Sequence, residues 1–313
     1  MTLSRNIGIF LAGHRGMVGS AVYRLLAREG FTDVRTAESR DLDLRDPSAV
    51  DRHVASTRPE AIILCAARVG GIQANLESPA TFLLDNLQIQ NSVIAAAHRH
   101  GVKRFVFLGS SCIYPRNCPQ PMMEEHLLTS ALEPTNEGYA LAKIAGLKLL
   151  EGMHRQHGFN SICLMPCNLY GPNDSFDLQK SHVLSALVRR FVDAKAAGSP
   201  SLTLWGTGAA RREFMHVDDL ASAILFMMER HEHHPWINVG TGEDLSIREL
   251  AQYIAAQLGY AGDLLWDASR PDGMPRKCMD VSRMRALGFN PTIPLEAGVK
   301  QMIDLYAHWK DRP

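Results

Sequence analysis

The sequence has no surplus of either charge, with 33 Lys and Arg set against 33 Asp and Glu over 313 residues. Such a chain is not drawn as a whole to nucleic acid or to an anionic membrane, so any anion it binds has to be met by local cations. Long apolar runs are missing as well. Ile7-Gly-Ile-Phe-Leu-Ala12 is far shorter than the ~20 residues of a bilayer span, and Gly13-His14-Arg15 ends it without a cleavage-site pattern. Cysteine is sparse: the six, at 65, 112, 118, 163, 167 and 278, are scattered with no paired metal-ligand spacing, which fits free thiols in a reducing compartment. His231-Glu-His-His234 has no companions in sequence that would complete a metal site and reads as an exposed helix end. No repeat or low-complexity stretch occurs. These absences point to a soluble cytoplasmic protein without metal, membrane or nucleic-acid partners.

What is present is enough apolar residue, 46%, for one large core and a second smaller one. Ile7 to Ala12 reads as a buried strand, and Gly13-x-x-Gly16-x-x-Gly19 follows at once, with Met17 and Val18 opening a helix that runs to Glu29. Strand, glycine turn and helix N-terminus together predict a dinucleotide site: the glycines admit a pyrophosphate close to the backbone, and the helix end offers free N–H groups. The fold class expected is therefore α/β, a Rossmann-type doubly wound parallel sheet with a second, smaller α/β substrate domain.

A second strand, Asp33 to Ala37, is expected to end near the adenosine ribose. There Glu38 competes for a 2′-hydroxyl with Arg15 and Arg40 for a 2′-phosphate, and two guanidinium groups against one carboxylate favour NADPH. Asp43 and Leu44 are placed beside the adenine, with Asp43 facing its amino group; the same stretch also fits a turn before a helix at Pro47. Ala61 to Ala67 is a continuous apolar strand whose small Ala66 and Ala67 leave room for a flat cofactor, and Val69 to Ile72 closes the crevice. A helix from Phe82 to His100 has a wide apolar face, on which Asn86 is a polar spot. Arg104 to Leu108 is the next strand, and it delivers Gly109-Ser110-Ser111-Cys112-Ile-Tyr-Pro115 where open parallel sheets place their ligands.

On the helix that follows, Tyr139 and Lys143 lie four residues apart and so share a face. A phenol is a poor acid at neutral pH, and a neighbouring cation is expected to lower its pKa. With Ser110 at the sheet's end, the pair supplies a proton relay to a developing alkoxide.

These features are identified as those of an extended short-chain dehydrogenase/reductase acting on nucleotide sugars. Gly13 to Ser20, Gly109 to Pro115, Glu133-Pro-Thr-Asn136, Tyr139 with Lys143, Asn168-Leu-Tyr-Gly-Pro172, Arg212 to Asp219 and Arg270 to Lys277 resemble the GDP-L-fucose synthase family from Ile7 to the last helix. The resemblance implies 3,5-epimerisation of GDP-4-keto-6-deoxy-D-mannose, then reduction of its C4 ketone by NADPH. It further implies Cys112 as base and His182 as acid of the epimerisation, with Ser110, Tyr139 and Lys143 at the C4 oxygen. Without it, Cys112 reads as a small buried hydrophobe and His182 as a helix-cap residue. The backbone of Pro166, Asn168 and Leu169, with His182, would meet the nicotinamide. Asn168, Arg190, Trp205, Arg212 and Lys277 would hold the diphosphate and guanosine.

Residues 1–170 with a return segment 213–240, including a strand Phe214 to Val217 and a helix capped by Asp218-Asp219, are expected to form the cofactor domain. Residues 171–212 and 241–313 would form the sugar-nucleotide domain, with a capping box at Ser246 to Glu249 and a last helix from Leu295 to His308. A homodimer is expected through the helices near 82–100 and 137–157, whose apolar faces are too wide for one sheet contact. Three other readings use much of the same machinery: a colitose-type substrate, a UDP-sugar 4-epimerase, and a non-enzymatic NADP sensor. Cys112 with His182 argues against the second, and retention of Tyr139 against the third.

Overall fold

The computed structural model describes residues 3–178, 181–230, 236–270 and 272–310; the histidine cluster at 231–234 and Pro271 lie outside these. Among the described residues twelve strands occur, in chain order β1 (Ile9–Ala12), β2 (Val34–Arg35), β3 (Ala61–Leu64), β4 (Arg104–Leu108), β5 (Ser161–Pro166), β6 (Asn168–Tyr170), β7 (Ser201–Trp205), β8 (Arg211–His216), β9 (Ile237–Val239), β10 (Asp244–Ser246), β11 (Asp263–Asp267) and β12 (Arg276–Lys277). Six of them form a parallel sheet in the order β2-β1-β3-β4-β5-β9. β1, β3 and β5 are buried along their whole length, as continuous apolar strands must be when helices cover both faces.

After β1 the chain steps outward to β2 and then returns across β1 to β3. Because crossovers of parallel strands are right-handed, this reversal sends the helices Met17–Arg28 and Pro47–Thr57 to opposite faces. The first packs with Val217–Arg230, the second with Pro79–Arg99, and that in turn with Glu137–His157. The reversal leaves a crevice between the C-terminal ends of β1 and β3, where ligands of such sheets bind.

A second apolar cluster, built from residues such as Phe176, Val188, Phe191, Leu204, Ile254 and Met302, is separate from the one around the six-stranded sheet. Beside it stands a small sheet centred on β8, which is flanked by β10 and β12 and pairs with β6. Of the strand expected at Phe214 to Val217, Phe214 to His216 lie in β8, outside the main sheet, and Val217 opens the next helix; only that helix, Val217–Arg230, and β9 join the main sheet's side. Asp218 and Asp219 fall in the helix's first turn. Asp219 does not cap it but accepts from Thr292 N and Ile293 N at 3.0 and 2.9 Å, tying down the approach to the last helix. That helix runs Leu295–Lys310, and the capping box of Ser246 and Glu249 is formed in both directions.

Candidate active site

The crevice opens into a cavity of about 770 Å³ that extends from the glycine turn to His182. At one end the glycines meet a steric demand. Gly13 has φ +90°, and a Cβ there would lie 2.6 Å from Ala66 N; a Cβ on Gly19 would lie 2.1 Å from Gly13 O. The turn therefore closes tightly against β3 only with glycine at both places. Gly16 is the N-cap of Met17–Arg28 and offers no side chain to the first N–H groups, so these stay free for an anion. Met17, Val18, Leu44, Ala66 and Ala67 line the same end.

Beyond β2, Arg15 and Arg40 do not oppose Glu38 but converge on it, Arg40 Nε at 3.1 Å. Both guanidinium groups are largely exposed, so the acidic residue gathers two cations at the mouth. Asp43 lines the cavity, but its carboxylate is engaged by Arg45, whose Nη2 lies at 2.8 Å. Those hydrogen bonds hold its pKa below the usual carboxylate value. Arg45 also faces Asp85, which Arg68 meets at 3.1 Å. The expectation that Asp43 faces an amino group missed this near neighbour. Asn86, expected as a polar spot, grips the loop after β3: its amide accepts from Arg68 N at 2.9 Å and donates to Arg68 O at 3.0 Å.

Midway, β4 ends in Gly109 and a single 3₁₀ turn over Ser111–Ile113. Ser110 caps that turn by accepting from Cys112 N at 3.2 Å. Ser111 is buried among the core residues. Tyr139 and Lys143 arrive from the first turns of Glu137–His157, on one face as their spacing requires. Lys143 is buried and donates to Leu108 O at 2.8 Å, with its ammonium 5.8 Å from the Tyr139 ring centre. Burial pushes its pKa down to about 8, the nearby Cys65 opposing.

The expected lowering of the Tyr139 pKa is not found. Burial, reinforced by the charge of Cys112, pushes the phenol well above its ordinary value, and the Ser110 hydroxyl only partly offsets this. The Lys143 charge is not among the influences on the phenol, for which burial is the largest.

Cys112 follows the opposite course. Burial opposes its thiolate, yet the net shift is downward, because Lys277, Ser110 and His182 together outweigh it. Lys277 Nζ lies 3.2 Å from the sulfur. His182 is the N-cap of Val183–Ala196. Its Nδ1 lies 3.3 Å from Asp174 Oδ1, and Asp174 is fixed in turn by Ser175 N at 2.8 Å and by the Ser185 hydroxyl. The hydrogen bond that His182 donates to Asp174 raises the imidazole pKa against the effect of burial.

Of the residues expected at the diphosphate and guanosine, Asn168 lines the cavity and donates to Glu213 O at 2.9 Å, beside Pro166 and Leu169. Arg190 donates to Thr203 O, on the strand that carries Trp205. Trp205 is 65% exposed, with Arg270 5.0 Å above its ring centre. Arg212 is bound to Met274 O at 2.6 Å. Arg190, Trp205, Arg212 and Lys277 are not among the residues that line the cavity, and Lys277 is turned to Cys112. Asp174 was missed by sequence reasoning, as was Asn136, which lines the cavity with a buried amide oxygen that has no partner. Asp174 sits in an irregular loop with no periodicity to betray it. Asn136 stands one residue before the helix of Tyr139, a cap position that signals structure before chemistry.

The cavity thus unites a nucleotide-binding turn, a Ser–Tyr–Lys relay and a thiol–imidazole pair. Residues 9–240 match the NAD dependent epimerase/dehydratase family. GDP-L-fucose synthase 1 of Arabidopsis thaliana is 50% identical over 95% of this chain and 92% of its own. GDP-L-fucose synthase of Escherichia coli (strain K12) is 48% identical over 97% and 98%. Among solved structures, the GDP-mannoheptose C4 reductase MlghC of Campylobacter jejuni with NADP bound superposes with a TM-score of 0.89 at 35% identity, covering 97% of this chain and 99% of that one. The chain belongs to the NAD dependent epimerase/dehydratase family, on the branch of the extended short-chain dehydrogenase/reductases that includes the GDP-L-fucose synthases.

Proposed function

We propose that this protein converts GDP-4-keto-6-deoxy-D-mannose to GDP-L-fucose, by epimerisation at C3 and C5 followed by NADPH-dependent reduction at C4. The observation that carries the reading is the presence of two proton-transfer centres in one cavity, Ser110–Tyr139–Lys143 and Cys112–His182. The C4 ketone acidifies the hydrogens on both neighbouring carbons, so one base can serve both.

The glycine cradle fits a dinucleotide pyrophosphate, and Arg15 and Arg40, gathered by Glu38, fit a 2′-phosphate. Bound there, NADPH supplies the hydride for C4. Cys112, as thiolate, takes the proton from C3 or C5, and the charge that develops on the C4 oxygen is met by Ser110 and Tyr139. His182, protonated through Asp174, returns a proton to the opposite face. Both groups are then reset by exchange with water before the second carbon is inverted. In the reduction the Tyr139 phenol gives its proton to the C4 oxygen, and its raised pKa keeps that proton in place until the alkoxide forms. Lys143 then compensates the phenolate and holds the nicotinamide ribose.

Residues 1–170 and 213–240 serve the cofactor in this reading, and 171–212 and 241–313 the sugar nucleotide, with Arg190, Trp205 and Arg212 at its diphosphate and base. The protein acts as a cytoplasmic homodimer. Free thiols throughout support the compartment, and Leu84, Leu141 and Leu149, exposed on the helices Pro79–Arg99 and Glu137–His157, support the seam. Incubation with the keto sugar and NADPH, with product stereochemistry read by NMR, tests the function. Inversion at both carbons with C4 reduced is expected. Reduction without inversion, or no turnover, overturns it.

A further inference from the structure

We infer that Lys277 is a positioning residue for proton abstraction, its ammonium held against the Cys112 sulfur to keep that sulfur a thiolate, and that it is not a ligand of the diphosphate. The inference rests on the functional reading above for the role of Cys112, but its physical core stands apart from any substrate.

Lys277 is only 9% exposed. A buried ammonium needs a counter-charge, and among the described residues no carboxylate lies within ion-pair distance of it. Among the described residues, the one group it contacts through a hydrogen bond is the Cys112 sulfur, at 3.2 Å. The other charged and titratable groups that feel the Cys112 charge are His182, Arg212 and Tyr139. Two of these are basic, so the thiol stands in a positive field of which Lys277 is the nearest part.

The placement is built by the backbone on both sides of the lysine. β12 carries Lys277 in register with Arg212 of β8. The next residues are fastened to the loop that follows Cys112: Cys278 N donates to Gln120 Oε1 at 3.0 Å, Met122 N to Cys278 O at 2.8 Å, and Asp280 N to Met122 O at 2.8 Å. Met279 N donates to the buried Glu213 at 2.9 Å. A lysine free to reach for a phosphate would not need its strand latched to the segment that presents the thiol. Arg190 and Trp205, meanwhile, are engaged with Thr203 and Arg270 around β7.

The test needs no substrate at first. Wild type, Lys277→Met and Lys277→Arg are alkylated with iodoacetamide across pH 5 to 10, and each cysteine is followed by peptide mass spectrometry. The other five thiols are held above their ordinary pKa by burial and act as internal controls. In Lys277→Met the Cys112 titration is expected to move up by about one pH unit or more, with alkylation at pH 7 slowed about tenfold. Lys277→Arg, which keeps the charge, should move it much less. With the keto sugar in D₂O, exchange at C3 and C5 by Lys277→Met should fall at pH 7 and recover as pH rises, with KM little changed. An unmoved Cys112 titration together with a raised KM would overturn the inference and return Lys277 to the diphosphate. If Lys277→Met does not fold, the arginine variant decides: a Cys112 titration near that of wild type supports the role, and one shifted fully upward refutes it. Failure of wild type to exchange the sugar at all would sink the functional reading, while the alkylation curves would still report on Lys277.

Discussion

Tyr139 and Lys143 are pushed by burial toward their neutral forms, whereas Cys112 and His182, in the same cavity, are pushed by neighbours toward their charged ones. The difference follows from what each centre is paired with. Lys143 has a carbonyl and two aromatic rings for company, none of which carries a charge. Cys112 has an ammonium, and His182 a carboxylate. The lesson is that proximity does not fix protonation; the partner's own solvation decides. A proton donor that must wait for an alkoxide gains from a high pKa, and a base that must begin the reaction gains from a low one.

The largest effect that would sharpen this contrast is expected from Tyr139→Phe, which should slow NADPH oxidation by the ~10²–10⁴ of a lost general acid. Exchange of C3 and C5 with D₂O, read by mass spectrometry, should fall far less, because Cys112 and the Ser110 hydroxyl remain. Loss of both activities together would erase the distinction between the centres. Next is Lys143→Met. Burial holds the Lys143 pKa at about 8 against 10.5 for the free side chain. The folded state therefore binds fewer protons than the unfolded one between these values, and stability rises with pH across that window. At pH 7 the burden is about 3 kcal/mol, from which an orphaned Leu108 carbonyl takes back about 1–2 kcal/mol. The variant should thus melt higher than wild type at pH 7, with the gap closing between pH 8 and 10.5, while reduction is lost. A variant that melts lower at pH 7 would show that Lys143 is not strained by burial. The smallest effect is expected from Asp174→Asn, which removes the charge that raises the His182 pKa. NMR titration should show that pKa falling, and inversion at neutral pH should slow by up to about tenfold, with reduction of the C4 ketone unaffected. An unchanged His182 titration would detach Asp174 from the acid.

What the sequence made legible was local. The strand, glycine turn and helix at 9–28 follow one another directly, and the shared face of Tyr139 and Lys143 is a matter of helical period. Contacts made across the fold were not legible. Asp174 meets His182 through an irregular loop, and the pairing of β8 with β6, β10 and β12 could not be read, because a strand's own residues do not name its neighbours. Arg15 and Arg40 were weighed against Glu38 as rivals, yet three dimensions make them its partners. The Asp43 carboxylate is bound by Arg45, two residues on, a contact that the motif alone does not announce. The Tyr139 pKa went the other way because spacing records a neighbouring charge but not the desolvation of either group.

The latch between the segments at 120–122 and 278–280 has a consequence for timing. Lys277 lies 165 residues beyond Cys112, an interval of roughly 10–30 s of synthesis at ordinary elongation rates. β1 to β4 and the glycine turn precede that interval and β5 is made within it, so for most of it the thiol has been made without its ammonium. A nascent chain is therefore equipped for a nucleotide well before it is equipped to take a proton from carbon. In stalled chains of increasing length, the Cys112 titration should reach its full-length position only once residues 276–280 have left the ribosome.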